Sequence, residues 1–560
     1  MPYVRFLVVT ALMAFLDFKL EPKVTFGRAH VYLSDVQYRP PLPYVSQFGG
    51  KPPTNIAQLP SAHKGFSYDM SLPYVDFKAV RACYESGAAD IANRVLRTTR
   101  RSHITTDHLY DSVLNYGGSS PPRLDDPVYR RCLEELRQQF DVDTKLTPLA
   151  LREAADKIPQ NTSPGLPWIQ MYPSAKKGQI LSKHYNDIAA AWDAIGKGCR
   201  KYPLPDCAAF GRSHIGSADT NKVRAVWVVP LTVVVAEAKF ALPVIDLLTS
   251  QTIGRNTAYG CEMMKGGMKW VNDQALWAKN SDPGAKFLMT DYSSFDANVP
   301  AWLIRDCFAI LREKFTMTAE DANIFRKCVS YFINTPIQFA DKRRLLKNHG
   351  VPSGSMWTNI IDTMVNFVQT RYCLYTLTRV NPLFDVYFGD DGLISLPERA
   401  TINLDDISAV AKEKFGAVVN TKKSYWTTRI PNIHFLGYYN NGGTCYKKPE
   451  GLVASFLYPQ HMQDDWAYTL ARALGVLLAS AGDRTIFGIV FRTYLMARRV
   501  DGAVDKGFEL VTTHPRMVRH LRQMGAEVHN MSPQLLLNNV LSIPVENCRK
   551  LELGINLVCR

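Results

Sequence analysis

Three aspartates carry the chemistry this sequence offers most plainly. Asp291 ends a short apolar run, Lys286 to Thr290, and Asp390 and Asp391 follow another, Leu383 to Phe388. Each stands where a strand stops, at the rim of a sheet. Carboxylates on adjacent strands can grip two Mg²⁺ ions, which prefer carboxylate oxygen and keep positions for water and phosphates. In such a site the ions activate a hydroxyl and stabilise departing pyrophosphate. A plainer reading competes, because Asp391-Gly392 is itself a hairpin-turn signal. At ordinary Gly and Asp frequencies, Gly-Asp-Asp arises by chance in roughly one in seven chains this long. The tripeptide therefore counts only through its surroundings.

The elements that must position these residues are legible in outline. Lys286 to Thr290 reads as a strand and Ala301 opens a helix. Leu383 to Phe388, a four-residue turn and Leu393 to Ser395 read as a hairpin. Ile402 to Phe415 is helical in pattern. Ile433 to Tyr439, followed by Asn440 to Gly443, starts a second hairpin. Pro230 introduces an apolar helix reaching about Leu248. Residues 35–75, rich in Pro, Tyr and Gly, read as loop or extended wrapping segment. Helical patterns dominate from about 80 to 160 and again after about 451.

Composition narrows the partners. Lys and Arg total 66 against 51 Asp and Glu, a net charge of +15. Such an excess points to a polyanion, nucleic acid first and an acidic membrane surface second. Arg94, Arg97, Arg100 and Arg101 cluster, and Arg516, Arg519 and Arg522 recur at helical spacing. Both groups read equally as solvated faces or as RNA contacts. The 11 cysteines show no CxxC pair, so neither a zinc knuckle nor a disulfide framework is indicated, and a reducing compartment fits. The apolar run Phe6 to Leu16, after Arg5 and before Asp17, resembles a signal-peptide core but is too short to span a bilayer. A buried strand or helix is the better reading there. No run of about 18 apolar residues appears elsewhere, so no membrane partner is expected.

Around the aspartates, short segments follow one another in a telling order. They are Thr162-Ser163-Pro164-Gly165-Leu166-Pro167-Trp168, Lys222-Val223-Arg224, Asp291-Tyr292-Ser293-Ser294-Phe295-Asp296 and Gly350-Val351-Pro352-Ser353-Gly354-Ser355-Met356-Trp357-Thr358. Gly389-Asp390-Asp391, Asn420-Thr421-Lys422-Lys423-Ser424 and His434-Phe435-Leu436-Gly437-Tyr438-Tyr439 complete the series. This order resembles the motif series of viral RNA-dependent RNA polymerases over about residues 160–440. Trp168, Val299 to Ile304 and His434 to Tyr439 are most similar to partitivirus polymerases, with picobirnavirus polymerases next.

The resemblance implies an α+β fold shaped as a closed right hand. Its palm would be an antiparallel sheet with helices, its thumb helical, and finger–thumb contacts would close it. Fingers would occupy 1–285, with a palm helix near 231–250, and return at 311–349. Palm would occupy 286–310 and 350–450, and thumb 451–560. Two Mg²⁺, replaceable by Mn²⁺, would be held by Asp291 and Asp390 with Asp391 in support. Lys423, or else Lys422, would protonate pyrophosphate. Lys222 and Arg224 would neutralise the triphosphate. Ser163, Pro164 and Gly165 would meet template, and Ser353 and Gly354 would form a loop close to RNA. Asp296 and Thr358 would face the ribose, whose 2′-hydroxyl marks an RNA precursor.

One position departs from the family's pattern. Four residues beyond Thr358, positive-strand relatives usually carry Asn, whereas this chain has Asp362. Two carboxylates, Asp296 and Asp362, would then meet and raise one pKa. The alternative is that Asp362 turns away and Asn366 or Asn359 substitutes. The implied partners are RNA template, product duplex, nucleoside triphosphates and a viral capsid protein. The implied setting is the host cytoplasm, inside the virion, and the implied genome is double-stranded RNA. Two rival readings stand beside this one. One is a reverse transcriptase, against which Asp296 and the Ser353-Gly354 loop argue. The other is a basic RNA-packaging protein with a fortuitous turn.

Overall fold

The computed structural model describes residues 42–49, 52–53, 55–68, 73–141, 144–250, 256–461, 463–514, 518 and 532–538. The apolar run at 6–16 and the arginines at 516, 519 and 522 lie outside the described residues.

A four-stranded antiparallel sheet forms the centre. Its order is β10 (Phe384–Phe388), β11 (Asp391–Leu396), β6 (Lys286–Thr290) and β13 (Tyr425–Thr427). Alternation along β6 explains why it is apolar throughout. Phe287 and Met289 pack with Trp270 and Val271 of the helix Gly267–Ser281, while Leu288 joins the main core on the opposite face. A strand covered on both sides needs apolar residues at every position. The helix Thr358–Thr378 crosses the main core and is buried along most of its length. Leu231–Ser250, another buried helix, begins after Pro230 as its sequence predicts.

A second sheet has the order β1 (Ile56–Leu59), β9 (Arg344–Lys347), β8 (Pro336–Gln338), β3 (Cys207–Ser213) and β5 (Val223–Val228). It brings chain segments near 56, 207–228 and 336–347 together. Among the described residues three small sheets remain. They are β2 (Thr99–Arg101) with β4 (Ile215–Ser217), β7 (Tyr292–Ser293) with β12 (Val418–Val419), and the meander β14 (His434–Phe435), β15 (Tyr438–Asn441), β16 (Thr444–Tyr446).

The helices Pro449–Leu457, Trp466–Ala479, Arg484–Ala497 and Ala503–Thr513 share their own core with Phe77–Glu85 and Ala89–Thr98. Polar contacts reinforce that union. Asp76 caps the Phe77–Glu85 helix and also bonds Thr469 and Arg472. Glu85 pairs with Arg492, and Arg94 pairs with Glu450 at 2.9 Å. Early and late segments thus close on each other. Arg94 makes an exposed ion pair, and Arg101 donates to the Ser213 and Tyr458 carbonyls, so this part of the arginine cluster is engaged within the protein.

The α+β class is as expected, and three local readings are corrected. The hairpin turn is two residues, Gly389-Asp390, because Phe388 pairs directly with Asp391. Gly389 at φ +63° permits that tight reversal. The run 433–439 is two strands, not one, since Leu436 and Gly437 turn at positive φ between β14 and β15. Within the 35–75 loop reading, Ile56–Leu59 is a strand paired with β9. Among the described residues, no helix is long and apolar enough to cross a membrane.

Candidate active site

Asp291 follows the last residue of β6, and Asp391 is the first residue of β11. Thr290 pairs with Gly392, so the two aspartates occupy adjoining ends of neighbouring strands. Asp390 sits in the turn beside them. Asp391 is exposed, yet protein crowds it enough that lost hydration lifts its carboxyl to about 6. Repulsion from Asp390 and Asp291 adds to that lift. The three carboxylates therefore share one patch of negative potential.

The helix Thr358–Thr378 holds the turn from beneath. Thr363 Oγ1 accepts the Gly389 N–H at 2.8 Å, and Asn366 Nδ2 donates to the Gly389 carbonyl at 3.1 Å. Thr370 Oγ1 meets Asn366 Oδ1 at 3.0 Å and the Tyr292 hydroxyl at 3.2 Å. Residues 363, 366 and 370 fall three to four apart, a polar stripe on one face of the buried helix. That stripe is the signal by which sequence reasoning can find the supporting residues Thr363 and Thr370.

Asp291 is anchored from the other side. Its N–H donates to Ser424 Oγ at 2.9 Å, and its carbonyl accepts from the Asn420 N–H at 2.8 Å. Lys422 and Lys423 occupy this turn and both are exposed. Lys423 lies within electrostatic reach of Lys222, and so does Asp291. Burial, then Arg224 and Lys423, lower the Lys222 pKa, while Asp291 opposes them.

Lys222 and Arg224 belong to a wider basic surface. Arg212 on β3 is directly opposite Arg224 on β5, an arrangement that like charges oppose unless an anion lies between them. Among the described residues neither arginine has an ion pair. Burial brings His214 down to about 4, with Arg224, Arg212, Lys222 and Arg101 adding to the shift. Sequence reasoning missed Arg212 because only the β3–β5 pairing shows that it faces Arg224.

The loop Gly350–Trp357 joins these parts. Ser353 Oγ accepts the Trp227 N–H at 3.2 Å. A Cβ on Gly354 would stand 1.9 Å from the Trp227 carbonyl, so glycine here serves close packing against β5. Thr358 donates to the Pro352 carbonyl at 2.7 Å. Ser163 Oγ accepts the Gly165 N–H at 3.3 Å, while buried Pro164 and Gly165 seat against the start of the Leu231–Ser250 helix.

Asp296 and Asp362 face each other electrostatically. Burial first, then Asp390, raises the Asp296 carboxyl to about 6, and Arg224 opposes the shift. Asp362 is 5% exposed, and its Oδ1 has no hydrogen-bond partner among the described residues. Burial pushes it well above the usual carboxylate range, with Asp296 and Asp390 adding repulsion. Asp362 thus lies within electrostatic reach of both Asp296 and Asp390. Asn366 is committed to Gly389 and Thr370. Asn359 lies beside Gly389 with its own Oδ1 unpaired.

The donor set fits Mg²⁺: three carboxylates, no sulfur or imidazole, and mutual repulsion that a dication relieves. Among the described residues, no three such side chains converge closely enough to enclose an ion by themselves. Mg²⁺ needs no such cage, because it binds through one or two carboxylates with water and phosphate completing its shell.

A carboxylate-tipped palm sheet faced by a basic strand defines a right-hand nucleotide polymerase. Solved structures agree on the fold. The Sicinivirus 3Dpol RNA-dependent RNA polymerase superposes with TM-score 0.65 over 88% of this chain and 100% of that one, at 14% identity. A human picobirnavirus polymerase superposes with TM-score 0.60 over 84% and 90%, also at 14% identity. The family model described as "Viral RNA-dependent RNA polymerase" matches residues 84–448, more than half of the chain. The chain belongs to that family of RNA-directed RNA polymerases.

Relatives include the RNA-directed RNA polymerase of Cryptosporidium parvum virus 1, 27% identical over 63% of this chain and 68% of its own length. That of Atkinsonella hypoxylon virus is 27% identical over 49% and 48%. White clover cryptic virus 1 supplies a third, 23% identical over 47% of each. The chain thus spans about half the length of the last two. These matches agree with the resemblance to partitivirus polymerases, with picobirnavirus polymerases close by.

Proposed function

We propose that this chain transcribes and replicates a double-stranded RNA genome by two-metal nucleotidyl transfer. The observation that carries the chemistry is the adjacency of Asp291 and Asp391 at paired strand ends, with Asp390 in the turn between β10 and β11. Asp291 and Asp390 would hold two Mg²⁺, or Mn²⁺ in their place, with Asp391 in support. Bound there, the ions supply activation of the RNA 3′-hydroxyl and charge stabilisation at the departing pyrophosphate.

The chain's own groups do the rest. Arg224, with its planar fork, and Lys222, as a point charge, bind the triphosphate. Lys423, in the 420–424 turn whose Asn420 and Ser424 bond the Asp291 backbone, gives its proton to pyrophosphate. Asp296, Ser353, Thr358 and Asp362 surround the ribose, and Asn366 acts from behind by fixing Gly389. Ser163 to Gly165 guide template. Fingers would comprise 1–285 and 311–349, palm 286–310 and 350–450, and thumb 451–560.

The double-stranded genome, a capsid partner and a site of action inside the virion in the host cytoplasm rest on the partitivirus resemblance. The test is purified protein with single- or double-stranded RNA, NTPs or dNTPs, and Mg²⁺ or Mn²⁺. Template-length RNA from NTPs supports the reading. Preferential dNTP incorporation would favour a reverse transcriptase, and RNA binding without synthesis would contradict the reading.

A further inference from the structure

The Gly350–Trp357 loop is gripped at both ends by buried ionisable side chains that no step above uses. At its start stands Lys347, fully buried. Its Nζ donates to the carbonyls of Phe332 at 2.6 Å, Ile333 at 2.9 Å and Gly350 at 2.9 Å. Phe332 and Ile333 end the helix Ala319–Ile333, whose last carbonyls accept these bonds, while burial pulls the Lys347 ammonium well below its usual range. At the loop's far end stands Glu237, 1% exposed, within the Leu231–Ser250 helix. Its Oε1 accepts from Ser355 Oγ at 2.9 Å, and its Oε2 accepts the Met356 N–H at 3.0 Å. Ser355 Oγ in turn accepts the Trp357 N–H at 3.1 Å, so Glu237 also braces the start of the Thr358–Thr378 helix.

Burying a carboxylate this deeply is costly unless its bonds are specific. Glu237 is lifted to about 7 by burial, against the pull of those two hydrogen bonds and of Lys177. A purely structural role needs no ionisable group here, since Gln or Met fills similar volume. What a carboxylate offers is two acceptors aimed at two consecutive loop residues.

We propose that Glu237 is a positioning residue for nucleotide addition. It sets the Ser353–Gly354 segment against Trp227 by holding Ser355 and Met356. Trp227 lies on the strand that carries Arg224, so the same grip aligns loop and triphosphate site. The proposal rests on the polymerase reading above.

The test uses the full chain and compares Glu237→Gln, Ser355→Ala, Ser355→Thr and the Glu237→Gln/Ser355→Ala double variant. Steady-state NTP incorporation and the Kd for a primer–template RNA are measured for each. Each single loss is expected to lower kcat/KM for NTP about tenfold, with RNA affinity changed less than about twofold. Residues acting through one bond are non-additive, so the double variant should fall no further than the worse single. Ser355→Thr keeps the hydroxyl and should restore activity. Multiplying losses, or a Ser355→Ala variant equal to wild type, would overturn the proposal. If Glu237→Gln does not fold, the contrast between Ser355→Ala and Ser355→Thr decides it alone. Wild-type protein that makes no RNA would instead overturn the underlying reading.

Discussion

Asn366 donates its side-chain amide to the carbonyl of Gly389 at 3.1 Å, so a fully buried helix residue supports the turn that carries Asp390. Thr363 completes the grip by accepting the Gly389 N–H. The turn that carries Asp390 is thus fixed by hydrogen bonds as well as by strand pairing. Asn366→Leu keeps the volume but leaves the Gly389 carbonyl unpaired. It should cost on the order of 1–3 kcal/mol of stability, seen as a lower Tm. Because the turn shifts, kcat should fall more than NTP KM rises. An unchanged kcat at a lowered Tm would show that the bond serves stability alone.

Gly354 tests the loop's packing. A methyl there meets the Trp227 carbonyl, which is backbone and cannot rotate away. Gly354→Ala must therefore displace the loop from β5. The expected outcome is a folded protein with at least about tenfold lower NTP incorporation, since small misplacements of positioning groups are costly. Wild-type activity would mean that the loop's seat on β5 does not matter.

The basic strand pair makes a kinetic prediction. Arg212→Ala and Arg224→Ala each remove a cation from the cross-strand pair. Each should raise NTP KM about tenfold and weaken its rise with added salt, because charge-assisted phosphate contacts are lost. Removing either should also relieve repulsion between the strands, so Tm should hold or rise. A lowered Tm with unchanged KM would make these arginines structural.

Glu237 makes a pH prediction, and its neighbours are Lys177, Cys207, Cys328 and Tyr331. Its folded pKa, about 7, stands above its ordinary 4.5. The stability this shift contributes is full below about 4.5 and is lost as pH rises through about 7. Wild type should therefore lose stability relative to Glu237→Gln between about pH 5 and pH 7.5, and the gap should be constant above that. Thermal melts of both proteins across this range check it. Parallel profiles would contradict the shift.

Much of this site was legible in the residues alone, for a physical reason. Lys286 to Thr290 is apolar because both its faces are covered, and that run marked Asp291 as a strand end. The Gly389-Asp390-Asp391 turn was placed correctly but drawn too wide, because Asp391-Gly392 imitates the turn that Gly389 actually makes. Leu436 hid another turn, since its positive φ is one that a leucine side chain seldom signals. Arg212 and Glu237 escaped notice because their significance is tertiary: one faces Arg224 across a sheet, the other meets a loop more than a hundred residues away. The union of the 77–98 helices with those after 449 was hidden likewise, since helical pattern reveals a buried face but not its partner.

The central claim is that Asp291, Asp390 and Asp391 form one metal-dependent site for RNA synthesis. Its most direct measurement is template-directed NTP incorporation by wild type and Asp390→Asn, on single-stranded RNA, across a Mg²⁺ and Mn²⁺ titration. Wild type should extend RNA to template length and stop when the metal is chelated. Asp390→Asn should lose at least about a thousandfold in rate while keeping its fold and RNA affinity, as removal of a transition-state charge partner does. Full-length synthesis by Asp390→Asn at the wild-type rate would contradict the account.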